Sequence, residues 1–364
     1  MEKKSTKILI AIVVILVIAV GVLFAIKLVK EKNKGADQVI SLGTDTLGKQ
    51  DEERTKQDVN IFSGDDRPIA IMIDNHKGAL PQAGLNDAYI VYEIIVEGGE
   101  TRLMEVLKGK NLEKVGPIRS SRHYFLDYAL ENDAIYVHYG WSPQAKRDIS
   151  KLKVNNINGI TESATDFWRV KDKSAPHNAV TSTKNILNIA KNKGYSTTSN
   201  KKSVLNYVSD DVELDGDEQE ANSFSIKYSD YNTASYTYNA ETKRYLRYTR
   251  GIKQVDWNTN EDVTVKNIII TFVKNTTLDD GENKGRQTLD NVGTRDGYYI
   301  TNGKAIKIKC EKKSRTEQTV YKDLNGNEIK VNDGNTFIQI CPIDAEVTFC
   351  LLYTSPSPRD MRRS

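Results

Sequence analysis

Cysteine, histidine and proline are all scarce in this 364-residue chain, which holds three, four and eight of them respectively. One cysteine, Cys350, falls in a terminal stretch set aside below, leaving Cys310 and Cys341 on strand-like segments. Two cysteines so placed make no zinc set. They are open either to a disulfide or to two buried thiols standing in for apolar residues. Neither a Gly-x-Ser-x-Gly elbow nor a phosphate-binding Gly-rich loop ending in Gly-Lys occurs, and no cysteine nucleophile motif is present, so the common hydrolase and nucleotide-binding signatures are missing. The four histidines, His76, His123, His138 and His177, never fall at the i, i+4 spacing of a helical metal pair. No metal site and no cofactor is expected. Long apolar runs are missing too, with one exception.

That exception is Ile8 to Ile26, nineteen consecutive residues without a charged or hydrogen-bonding side chain. At 1.5 Å per residue a helix of this length covers about 30 Å of hydrocarbon, so the membrane is an expected partner. Lysines flank the run on both sides, and the positive-inside count barely separates the two orientations. A short basic leader, an apolar stretch and a long polar remainder are the layout of a secretory signal. No small-x-small cleavage site and no cysteine for lipid attachment follows Ile26. The expectation is an uncleaved single-pass anchor with the domains extracytoplasmic.

Excess charge of one sign is missing from the body of the chain. The formal net charge is +3, but residues 1–34 contribute +5 (seven lysines against Glu2 and Glu31). Residues 350–364 contribute +2 (Arg359, Arg362 and Arg363 against Asp360), so about −4 remains for residues 35–349. The stretch Cys350 to Asp360, CLLYTSPSPRD, resembles the translation of a transposase-type sequencing adapter, and residues 350–364 are set aside as an artefact. A faintly acidic body neutralises phosphates poorly, which argues against non-specific nucleic-acid binding.

The chain divides into a leader (1–7), the anchor (8–26), a polar stalk (27–62), a first domain (63–209), an acidic linker (210–222) and a second domain (223–349). Between Asp210 and Glu220 seven carboxylates occur without a lysine or arginine, the pattern of a solvated linker. The first domain mixes strands (Pro68 to Ile73, Tyr89 to Val96, Arg102 to Leu107, Ala134 to Tyr139) with helices. One helix is predicted after a Ser120 or Ser121 cap, one from Ser142-Pro143 through Leu152, and one over Ser182 to Lys193 with Gly194 at its left-handed end. The second is strand after strand, with Asn302-Gly303, Asn325-Gly326 and Asp333-Gly334 as tight turns. The predicted fold class is α+β: an N-terminal membrane anchor helix, an α+β domain, then a mostly antiparallel β domain.

Chemistry is concentrated in the first domain. Gly116-Pro117-Ile118-Arg119-Ser120-Ser121-Arg122 delivers two arginines to a predicted helix start, where cations oppose the dipole and call for an anion. That anion is either a ligand carboxylate or phosphate, or an internal acid such as Glu93, Glu97 or Glu100. Asp74, Asn75 and His76 end the first strand, His138 ends a later one, and Arg169 with His177 and Asn178 lie on a loop before a helix, where sites commonly sit. The candidate ligand-binding residues are therefore Asp74, Asn75, His76, Glu97, Arg102, Arg119, Ser120, Arg122, His138, Arg169, His177 and Asn178. The many tyrosines of the second domain also allow a glycan-stacking surface.

Several of these motifs, in this order, resemble the YerB-like family: Arg67-Pro68 through Asp74-Asn75-His76, Glu97-Gly98-Gly99 to Arg102, Gly116-Pro117-Ile118-Arg119-Ser120, Val137-His138 to Ser142-Pro143, and Ala175-Pro176-His177-Asn178. Tyr298-Tyr299-Ile300, Asn302-Gly303-Lys304 and Phe337-Ile338-Gln339 are similar to its C-terminal domain. The resemblance spans roughly residues 63–349. It implies an envelope protein of Gram-positive bacteria, lipid-anchored in most of the family, and it carries no established reaction. The leading expectation is an envelope binding protein for an anionic or glycan ligand such as cell-wall material. The alternatives are an envelope hydrolase or transferase built on Asp74, His76, Glu97, His138 and His177, and a structural partner of another envelope protein.

Overall fold

The computed structural model describes residues 59–214 and 218–350, which fall in one compact unit, Lys56–Ser364. Strand β1 (Ile69–Asp74) is an unbroken apolar run closed by a carboxylate, and all six residues are buried. A strand covered on both faces needs such a run rather than an alternation. β2 (Ile90–Ile95) and β3 (Thr101–Leu107) are buried throughout in the same way. β3 lies antiparallel between β2 and β1, and β1 pairs parallel with β4 (Ile135–His138), which pairs parallel with β5 (Asn156–Asn158). On its other side β2 pairs parallel with Thr336–Pro342, which in turn pairs parallel with Asn267–Val273. Gly293–Thr301, Lys304–Lys312 and Val320–Lys322 follow antiparallel. One eleven-stranded sheet therefore runs through both halves of the chain.

A second, six-stranded sheet is built on Ser223–Lys227, Thr233–Asn239, Arg244–Thr249 and Glu346–Cys350. Its strands alternate buried and part-buried residues, the pattern of a sheet with one face covered. Phe224, Ile226, Tyr236 and Tyr245 pack from that face onto Ile268, Ile270 and Phe337 of the large sheet. Helix α3 (Thr183–Asn192) covers the same side of the large sheet through Ile186, Ile189 and Ala190. Helices α1 (Phe125–Glu131) and α2 (Pro143–Lys151) cover the opposite side, where Phe125, Leu126 and Ile149 meet Tyr92, Met104 and Tyr136. Ser142 and Ser182 cap α2 and α3 by accepting from the backbone N–H groups of Ala145 and Asn185, and Gly194 sits at φ +73 past α3, as their residue types predict.

Several expectations are corrected. The described part is not α+β but mostly β: among the described residues 41% are strand against 11% helix. The three helices span only seven to ten residues each and act as covers for a sheet that both halves of the chain share. None of them is long and apolar enough to cross a membrane, and the leader, the anchor expected over Ile8 to Ile26 and the stalk up to residue 58 lie outside the described residues. Helix α1 begins at Phe125 behind Tyr124, without a side-chain cap, rather than behind Ser120 or Ser121. Cys310 and Cys341 are free buried thiols in the packing layers on opposite sides of the large sheet, so the disulfide alternative is excluded by the sheet between them.

Candidate functional site

The C-terminal end of β1 is where separate segments converge. The Asp74 N–H donates to the Pro117 carbonyl at 2.8 Å, and the Ile118 N–H to the Ala179 carbonyl at 2.7 Å. Residues 116–119 are thus clamped between β1 and β7 (Ala179–Val180), the second strand of a hairpin whose first is β6 (Trp168–Arg169). The clamp requires a glycine at 116. Its φ is +134, and a Cβ there would stand 3.0 Å from both the Ala179 carbonyl oxygen and the Ile118 nitrogen. Held this way, Arg119 from one loop and His177 from another meet Asp74.

The Asp74 carboxylate is 4% exposed and is met by two hydrogen-bonding groups and one guanidinium in ion-pair contact. His177 Nδ1 lies 2.6 Å from Oδ2, Arg119 Nε 3.2 Å from the same oxygen, and the His76 backbone N–H donates to Oδ1 at 3.0 Å. An Nδ1–H held by a carboxylate makes Nε2 of His177 the acceptor nitrogen of the ring. The His76 ring stacks on the His177 ring with centroids 4.3 Å apart, and its Nδ1 accepts from the Gly78 N–H. Burial and the neighbouring His177 lower the pKa of His76, so the pair favours neutral imidazole on that side. Arg119 and His177 keep 23% and 19% of their side chains exposed, so the cluster is reachable from solvent.

The other arginines are spent internally. Arg122 makes a two-point contact with Glu97, Nε to Oε2 at 2.9 Å plus a second through Nη2 and Oε1, and Arg102 approaches Glu97 Oε1 at 3.3 Å. Burial alone would raise the Glu97 pKa, but the Arg122 hydrogen bond and the two positive charges bring it down to about 2. Desolvation and the neighbouring Arg122 pull the Arg102 pKa down to about 10. Three guanidiniums face two carboxylates here, leaving one positive charge in excess, and Arg119 is the most exposed of the three.

Of the remaining predicted residues, His138 is fully buried, with its two ring nitrogens on the Gly140 carbonyl and the Asn156 amide, and burial takes its pKa down to about 4. That is a structural imidazole. The Ser120 hydroxyl donates to the Tyr139 carbonyl. Arg169 donates to the Asn178 side chain and stands over the Tyr139 ring, while Asn178 donates to the carbonyls of Val170 and Lys173, so both brace the loop bearing His177. Asn75 points inward, donating to Glu93 and Thr101 and accepting from Gln82.

Sequence reasoning missed what the C-terminal half adds. Arg250 donates to the Asn75 carbonyl at 2.6 Å and pairs with Glu100, and fully buried Arg247 pairs with fully buried Glu93, which also holds Asn75. No spacing signal links position 75 to 250; only the packing of the second sheet brings them together.

Residues 55–196 match the N-terminal domain of the family described as protein of unknown function DUF3048, and residues 224–338 match its C-terminal domain. The chain belongs to the DUF3048 family. It is 30% identical over 287 residues to a Bacillus subtilis (strain 168) protein named "Putative lipoprotein YerB", covering 76% of this chain and 81% of that protein. A crystal structure of the YerB protein from Bacillus subtilis matches with a TM-score of 0.69 at 29% identity, over 78% of this chain and 94% of that one. The convergent loops at 74–76, 116–119 and 177 all fall within the family's N-terminal domain, whereas Arg247 and Arg250 fall in its C-terminal domain.

Proposed function

We propose that this chain is a membrane-attached protein of the cell envelope whose folded part lies outside the membrane and holds an anionic or glycan ligand at Asp74, Arg119 and His177. Kinship with a protein named as a lipoprotein supports the envelope location. The observation that carries the ligand reading is Arg119: partly exposed, facing a carboxylate already shared with His177, beside the Arg102–Arg122–Glu97 group that holds one positive charge in excess. A guanidinium in that position suits a carboxylate or phosphate. Titration of the full chain with soluble peptidoglycan fragments tests this. Arg119→Ala should weaken binding about tenfold or more, a change of about 1.4 kcal/mol, while Arg119→Lys should weaken it less. Equal affinity for the parent and Arg119→Ala sinks the ligand role. Protease added to intact cells should digest the folded part; protection until lysis would overturn the location.

One observation favours a second reading, a hydrolase or transferase acting on wall material. The 2.6 Å contact between Asp74 and His177 Nδ1 is the geometry that orients an imidazole as a general base through Nε2. In that case the protein releases products from peptidoglycan and His177→Ala abolishes release. Ligand binding with no turnover leaves the binding reading standing alone.

A further inference from the structure

A second group of cations stands at the far end of the loop that follows Asp74. The Lys114 and Lys173 ammonium groups lie 3.8 and 4.1 Å from the centre of the Trp257 indole ring. Both are therefore within about 8 Å of each other, inside a Debye length at physiological salt, where like charges still repel. The backbone of Trp257 and the Lys173 ammonium are tied to the Asp74 loop. The Trp257 backbone N–H donates to the Gln82 carbonyl, the Gln82 side chain donates to the Asp74 carbonyl, and Lys173 Nζ donates to the carbonyls of Ala79 and Leu80. Lys173 also lies four residues before His177 on the same connection.

Internal acids attract this pair without closing an ion pair on it. Asp172 and Asp256 are the neighbouring carboxylates, yet among the described residues neither lysine forms an ion pair with them. Asp256 is fully buried and already accepts from the N–H groups of Gly84, Asn86 and Asn258. Desolvation lowers the pKa of both lysines against the attraction of Asp172, and at Lys173 repulsion from Lys114 adds to the lowering, more weakly than Asp172 opposes it. An arriving anion relieves that repulsion, while the indole face holds the ammonium groups in place at little entropic cost.

We propose that Lys114 and Lys173 on Trp257 form a second anion subsite, so that the ligand of this protein is a flexible chain bearing repeated anionic groups, one held at Arg119 and another at the Trp257 platform. This rests on the Arg119 reading above and deepens it from a single anionic group to a polyanion. Two linked subsites raise affinity for a chain through effective concentration, without improving either contact alone. The repeated group is a phosphodiester or a carboxylate, chemistries that a pair of ammonium groups accepts alike.

The test uses the full chain solubilised in neutral detergent and three probes: glycerol phosphate with one anionic group, poly(glycerol phosphate), and polygalacturonate. The readout is the ratio of polymer affinity to monomer affinity. The parent should show a large ratio for at least one polymer, and which polymer binds identifies the anionic group. Lys114→Gln removes a side chain without hydrogen bonds among the described residues and should cut the ratio about tenfold, whereas Lys114→Arg, which keeps the charge, should preserve it. Arg119→Ala should weaken monomer and polymer together. If Lys114→Gln leaves the ratio unchanged while Arg119→Ala still weakens the monomer, the second subsite is refuted and the first stands. If Arg119→Ala changes neither, the underlying reading has failed. Binding of anionic phospholipid vesicles in preference to both polymers would also overturn the proposal, by assigning the platform to a lipid surface.

Discussion

Replacing Arg247 with methionine should be among the most damaging single changes in the folded part. Both members of the Arg247–Glu93 pair are fully buried, and they join the second sheet to β2 at the point where Glu93 also holds Asn75. Without the guanidinium, Glu93 keeps its hydrogen bonds from Asn75 and Thr101 but loses its counter-charge in a dry interior. An uncompensated buried charge costs about 3–5 kcal/mol, a large share of the roughly 5–15 kcal/mol that holds a folded domain together. Removing both charges in Glu93→Gln/Arg247→Met should restore most of the loss, because a neutral amide can still accept from Asn75 and Thr101. Urea denaturation of the two single variants, the double variant and the parent measures this as a thermodynamic cycle. A coupling of at least about 2 kcal/mol between the two positions is expected. Additive single effects, or an Arg247→Met cost below about 1 kcal/mol, would refute it.

Other outcomes follow from the same structure. Glu105 is fully buried with both carboxylate oxygens unpaired among the described residues, and burial, then Asp256 and Asp87, push its pKa well above the usual carboxylate range. The folded chain therefore keeps a proton that the unfolded chain loses near pH 4.3, so Glu105 weakens the fold increasingly as pH rises above that value. Glu105→Gln should gain stability over the parent from about pH 4 towards pH 7, and a pH-independent difference in urea midpoint would count against this. His138 and His123 behave in the opposite sense. Burial brings both down to about 4, so the unfolded chain takes up their protons first as pH falls below about 6.5. Each should cost the fold up to about 1.4 kcal/mol per pH unit between those limits. His138→Gln should flatten the acid limb by about one proton, measured from stability against pH. Gly116→Ala should destabilise the fold by roughly 1–3 kcal/mol through its positive φ and close carbonyl contact, seen as a lowered thermal midpoint. Cys310 and Cys341 should be unreactive towards a thiol reagent until the protein is denatured, burial having pushed Cys310 up to about 12 and Cys341 upward as well.

Much of the local structure was legible because its causes are local. The apolar run closing at Asp74, the Ser142-Pro143 helix start, and the Ser182 and Gly194 ends of the third helix follow from capping, turn chemistry and side-chain period, which act over a few residues. The α+β expectation failed at the next level. Thr336–Pro342 slots between Asn267–Val273 and β2, and that pairing depends on register between distant strands rather than on anything within one of them.

The candidate site divides in the same way. Residue types placed Asp74, Arg119 and His177 among twelve candidates without separating them from the rest, since charged and imidazole groups at strand ends and in loops are where chemistry collects. Their meeting was a tertiary event: Asp74 and His177 are 103 positions apart and touch because one loop is clamped between β1 and β7. Which arginine stays available was decided there too, because Glu97 lies within reach of Arg102 and Arg122 and leaves Arg119 to face Asp74 and solvent. Charge and hydrophobic pattern travel with the residue, but the partner that neutralises a charge is chosen only when the chain folds.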